Sequence, residues 1–122
     1  EVWQANAAGR YCSPDDSRED VAHDPAFIGF GRCATAADGS YCFRTVRPGR
    51  VPGAGNSLQA PHIALSIFGR GLLNRLMTRL YFSHGDGNNT DPIPSCVPEE
   101  RRHTLIAQRQ TDSWRLDIVL GG

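Results

Sequence analysis

The strongest constraint on the fold is a repeated pattern of short runs with apolar residues at every second position, each bounded by Gly, Pro, Asp or Asn. In SWRLDIVL, Trp114, Leu116, Ile118 and Leu120 share one side while Arg115 and Asp117 take the other, which is the signature of a half-buried antiparallel strand. SYCFRTV is entered through Asp38-Gly39 and left through Pro48-Gly49, both turn pairs. EVWQAN, PHIALSIF and TLIAQR read the same way. Strands recurring between turns predict an all-β fold, an antiparallel β-sandwich. The run GLLNRLMTRLYF is ambiguous, because Leu72, Leu73, Leu76, Met77 and Leu80 recur at helical spacing while Leu76, Thr78, Leu80 and Phe82 alternate.

With 122 residues there is room for one core, so a single domain over residues 1–122 is expected. The chain opens without Met on a strand-like run, which predicts further residues upstream of Glu1. Residues 12–32 and 83–100 are rich in Asp, Pro, Gly, Ser and Asn and read as long surface loops, the segments that most often carry function.

Thirteen basic and 13 acidic residues cancel, so no net field draws in nucleic acid or an anionic membrane. Every basic residue of the 13 is Arg, a forked donor suited to carboxylates. No apolar run reaches the roughly 18 residues of a membrane span, and no signal peptide is visible. Cys12, Cys33, Cys42 and Cys96 lack both zinc spacing and disulfide density, which predicts reduced, partly buried thiols in a cytoplasmic protein.

The strand PHIAL poses the chemical question. A metal-gripping strand carries His-x-His, since side chains at i and i+2 point the same way; here His62 is followed by Ala64. A lone His62 is expected to be packed and hydrogen-bonded. PEERR, Glu99–Arg102 with Pro98, reads as a solvated charge cluster at a strand entrance, and Trp3 and Trp114 as core or interface anchors.

Five segments in order, EVWQANAAGRY, GFGRCATAADGSYCFRTVRPG, APHI, RGLLNRLMTRLYF and DPIPSCVPEERRHTLIAQR, resemble the intradiol ring-cleaving dioxygenases. The likeness is greatest to the alpha chains of the family's two-chain, protocatechuate-cleaving members. The resemblance implies an all-β sandwich and makes residues 75–82 a strand after a turn at 69–74. It also implies non-haem ferric iron held by two tyrosinates and two histidines, and dioxygen inserted between the hydroxylated carbons of an aromatic substrate.

Laid on this chain, that ligand pattern fails at three positions. The tyrosine positions fall at Glu19 and Val51, and the second histidine at Ala64, leaving His62 as the remnant of a metal site. By the resemblance, iron belongs to a partner beta chain in a hetero-oligomer, and this chain is a non-catalytic alpha subunit that binds no metal. It contributes Arg70 of FGRG to the substrate pocket, where a guanidinium matches the ring carboxylate of protocatechuate. Arg79 falls where the catalytic chains place a polar residue facing the metal, so it is expected to enter the vestigial site near His62 and pair with Glu19 or a neighbouring carboxylate. The competing reading is a stand-alone β-sandwich binding or scaffold domain without oxygenase function.

Overall fold

The computed structural model describes residues 1–85 and 87–121. Its strands are β1 (Val2–Trp3), β2 (Phe30–Gly31), β3 (His62–Ile67), β4 (Leu76–Phe82), β5 (Ile106–Arg109) and β6 (Trp114–Arg115). They form one sheet in the order β2-β1-β3-β4-β5-β6. A short helix α1 (Pro92–Ser95) and a 3-10 helix (Glu99–Leu105) lie between β4 and β5. The fold is all-β, as the alternation predicts.

At the centre is the β3–β4 hairpin, paired antiparallel from His62↔Tyr81 to Ile67↔Leu76. This resolves the ambiguous run: Leu72 N–H closes a turn on the Gly69 carbonyl, Gly71 takes the left-handed φ of +86° that the turn needs, and β4 begins at Leu76. The ladder outweighs the helical spacing of the leucines, because only the extended conformation pairs the backbone of β3.

One face of this sheet carries the core. Val2, Ile63, Leu65, Phe82 and Ala107 are buried there with Leu116, and Phe43, Leu80, Trp114 and Ile118 pack against them. Phe82 meets Trp114 edge-on at 5.0 Å, and the Arg47 guanidinium lies over both rings.

Several local expectations differ from the structure. SYCFRTV is not a paired strand: residues 40–50 carry no ladder, although Tyr41 and Phe43 still turn toward the core. Side chains replace the ladder there. Tyr41 OH donates to the Leu116 carbonyl, the buried Gln4 Nε2 donates to the Val46 carbonyl, and Thr45 Oγ1 donates to Gln4 Oε1. The antiparallel rule breaks at β4–β5, which pair in parallel; the connection through α1 and the 3-10 helix is long enough to bring the chain back in the same direction. β2 falls within the stretch expected to be loop. The 83–100 loop contains α1 and the start of the 3-10 helix, so the largely exposed charged run PEERR leads into β5 through a helical turn; Asp86 of that loop lies outside the described residues. Arg102 there donates to the carbonyls of Val97 and Ser95, which anchors the turn before β5.

Candidate functional site

The sheet face opposite the core gathers the residues singled out above. The strand register places His62 beside Tyr81 and Ala64 beside both Arg79 and Trp3, so these side chains share that face. Tyr11 is held there by ring stacking on Trp3, 5.6 Å between centroids and 14° between planes. Its N–H donates to Asp16 Oδ2.

His62 is buried, with 6% of its surface exposed. Its Nδ1 lies 2.8 Å from the Ala60 carbonyl, which can only accept, so Nδ1 carries the proton. Its ring leans on Tyr81 at 5.7 Å. Burial pushes the His62 pKa below its ordinary value, the bond to Ala60 opposes this, the charge of Arg79 lowers it further and Asp91 raises it. A neutral imidazole results at neutral pH. Tyr81 is fully buried, and burial raises its pKa against the opposing pull of Arg79. Burial likewise raises Tyr11, again opposed first by Arg79. Both phenols therefore stay protonated.

Arg79 Nη1 donates to Gln59 Oε1 at 2.8 Å and, at the long distance of 3.4 Å, to Tyr81 OH. The expected pairing with Glu19 or another carboxylate is not found: among the described residues the ion pairs are Arg18–Asp16, Arg32–Glu1 and Arg115–Asp117. Gln59 takes the carboxylate's place because it is anchored through both side chain and backbone. Its Nε2 donates to the Pro52 carbonyl and its backbone N–H to the Val51 carbonyl. Arg50 adds bonds to the carbonyls of Gln59 and Leu58.

The remaining sequence-derived positions scatter. Val51 is buried and apolar, Ala64 is half-buried, and Glu19 is exposed on its loop. No group of three His, Cys, Asp or Glu residues that could hold a metal ion occurs among the described residues. The side chains at the positions expected to hold ferric iron do not fit it: Val51 and Ala64 offer no donor atom, and among the described residues Glu19 forms no hydrogen bond or ion pair with His62 or Arg79. Arg70 lies exposed in the β3–β4 turn, away from any ion pair among the described residues. Sequence reasoning missed Tyr11, Tyr81 and Gln59. Tyr81 alternates with Arg79 along β4 and could have been found by that signal; Tyr11 and Gln59 arrive through loops, where no periodicity operates.

All four cysteines are unpaired, and only Cys33 is partly buried, Cys12, Cys42 and Cys96 being exposed because they lie on surface segments; among the described residues no helix is long and apolar enough to cross a membrane.

A family model described as Dioxygenase (Dioxygenase_C) matches residues 1–120. The chain is 41% identical over 132 residues to a protocatechuate 3,4-dioxygenase beta chain of Burkholderia cepacia, covering all of this chain and 56% of that one. It is 39% identical over 130 residues to the alpha chain of the same organism, covering 100% and 62%, and 40% identical over 129 residues to an alpha chain of Pseudomonas putida, covering 100% and 61%. The chain thus spans between 56% and 62% of the length of these relatives.

Proposed function

Because the chain belongs to the intradiol ring-cleaving dioxygenase family, we propose that it is the non-catalytic alpha subunit of an iron(III)-dependent protocatechuate 3,4-dioxygenase acting in the cytoplasm. In this reading a beta chain holds the ferric iron, and both chains line a pocket at their boundary. Protocatechuate is opened there between its hydroxylated carbons with dioxygen, giving 3-carboxymuconate.

Identity does not choose between the chains, since it is 41% to a beta chain and 39% and 40% to alpha chains. One feature carries the reading: the resemblance implies two tyrosines and a second histidine near positions that in this chain hold Glu19, Val51 and Ala64. Hard ferric iron needs phenolate or similar oxygen donors, and neither a buried valine nor an alanine supplies one. His62, Glu19, Val51, Ala64 and Arg79 then form a vestigial metal site. Arg70 is the substrate-facing residue of this chain, its exposed guanidinium free to neutralise the ring carboxylate.

The test has two arms. Ferric ion added to the chain alone leaves it colourless, and co-expression with a beta chain carrying both tyrosines and His-x-His yields protocatechuate-dependent oxygen uptake. A visible phenolate-to-iron band with stoichiometric iron in this chain would overturn the subunit assignment. Full activity of the beta chain without this chain would leave a stand-alone binding or scaffold domain.

A further inference from the structure

Strands β4 and β5 run parallel, and the crossover between them leaves open space at the end of β4. A cavity of about 460 Å³ lies there, its polar wall made by Ser83, His84, Asn88 and Asn89 of the loop after β4, Arg102 of the 3-10 helix and Gln108 of β5. Ser83, Asn88 and Arg102 are half-buried and the other three exposed, so the cavity opens to solvent. None of its lining residues belongs to the row of His62, Ala64 and Arg79.

This lining is rich in donors and, among the described residues, holds no carboxylate. Arg102 commits Nε and Nη2 to the carbonyls of Val97 and Ser95, which fixes the guanidinium and leaves Nη1 without an acceptor among the described residues. Asn88 Nδ2 donates to the Phe82 carbonyl and ties the loop back to β4. His84 is the member that the fold does not explain. The Gly85 N–H donates to the Phe82 carbonyl, which makes His84 the third residue of a tight turn, and its φ is +54°. Glycine or asparagine is the ordinary choice at such a position, and His84 is the only non-glycine residue with positive φ among the described residues. Its imidazole makes no hydrogen bond or ion pair among them. The turn is strained to carry a side chain that packing does not use, the kind of outlier that points to binding.

We propose that this cavity binds a tetrahedral oxyanion of the phosphate class, free or as the head of a small phosphomonoester, on Arg102 Nη1 and the His84 ring, with Ser83, Asn89 and Gln108 as further donors. Three elements supply these donors from different sides. That arrangement suits four oxygens in a tetrahedron, whereas a planar carboxylate is satisfied by one guanidinium edge. The site does not depend on the subunit assignment.

The test titrates inorganic phosphate and, separately, glycerol 3-phosphate into the full chain in a buffer free of other oxyanions, read by calorimetry and by the His84 ring resonances in NMR. Saturable binding of one anion per chain is expected, with acetate at least tenfold weaker. Tighter binding of glycerol 3-phosphate assigns a phosphomonoester, and the reverse order assigns free phosphate. His84→Gly weakens binding at least tenfold while keeping or raising the melting temperature, since glycine relaxes the turn. Arg102→Gln abolishes binding, whereas Arg109→Ala, exposed on β5 outside the cavity wall, leaves it unchanged. Should Arg102→Gln fail to fold by circular dichroism, His84→Gly carries the same reading. Undiminished binding in His84→Gly, equal binding of acetate and phosphate, equal weakening in Arg109→Ala, or no saturable binding at all would overturn the proposal.

Discussion

His62 is a histidine whose proton inventory is decided by its surroundings. With Nδ1–H committed to the Ala60 carbonyl and the ring buried against Tyr81, a second proton would bring an unhydrated charge toward Arg79. The folded pKa is therefore below the ordinary 6.5. Above 6.5 both states hold neutral His62 and its contribution is complete; as pH falls through 6.5 the unfolded chain gains the proton first, so stability declines until the lowered folded value is reached. A pH titration of the His62 ring by NMR is expected to inflect below 6.5, and an inflection above it would contradict the burial argument. Asp16 is the opposite case. Its carboxylate takes Arg18 Nε and Nη2 and the Tyr11 N–H, and the Arg18 bonds foremost hold it well below the usual carboxylate range. Asp16→Ala is expected to cost about 1–3 kcal/mol in chemical denaturation, the cost of leaving such donors unpaired, and to loosen the Trp3–Tyr11 stack in fluorescence.

At the scale of elements, stability is uneven because backbone pairing is uneven. The β3–β4 hairpin has a continuous ladder, while no backbone N–H from 41 to 47 has a partner among the described residues. Hydrogen exchange is expected to be slowest in β3 and β4 and fast over 41–47 even though Phe43 packs on the core; slow exchange over 41–47 in the isolated chain would refute this. A second weak tolerance lies where the 6–10 turn crosses the 48–50 segment. Asn6 organises that crossing: its side chain accepts the N–H groups of Ala8 and Arg10, and its carbonyl accepts those of Gly9 and Gly49. A Cβ on Gly49 would lie 2.6 Å from the Ala7 carbonyl oxygen and the Gly9 nitrogen, both backbone atoms that cannot swing aside. Gly49→Ala is thus expected to lower the melting temperature sharply, by more than Gly39→Ala, even though Gly39 has φ +83°, because nothing stands within 4 Å of a Cβ there.

For the whole molecule, the proposed role turns on the tip of the central hairpin. Phe68, Leu72, Leu73, Leu76 and Met77 are exposed around it, and Arg70 stands among them. An apolar tip bearing two exposed arginines, Arg70 and Arg75, suits a pocket wall completed by a second chain. In the reconstituted complex, Arg70→Ala is expected to reduce kcat/KM for protocatechuate by about tenfold or more, a charge-assisted hydrogen bond being worth roughly 1.5–3 kcal/mol, and to affect catechol, which has no carboxylate, much less. Equal losses would make Arg70 a structural residue of the contact.

The alternation of apolar and polar residues was enough by itself to determine the all-β class, since a period of two leaves one buried face only in an extended chain. The order of five segments was enough to identify the family, and the residue types at Glu19, Val51 and Ala64 are what the proposed alpha-subunit reading rests on. Partnering was a different matter. SYCFRTV has the side-chain pattern of a strand and the structure honours its facing, yet whether its N–H groups find a ladder depends on which chain segment lies alongside. The parallel β4–β5 pair likewise depends on how far the connection travels before it returns. Arg79 makes the same point within the site. Sequence called for the charge at that position to be neutralised by Glu19 or a neighbouring carboxylate, but only the tertiary structure, by tying the Gln59 side-chain amide to Pro52 and its backbone N–H to Val51 and leaving Glu19 in solvent, decided that a neutral oxygen holds one corner of the guanidinium.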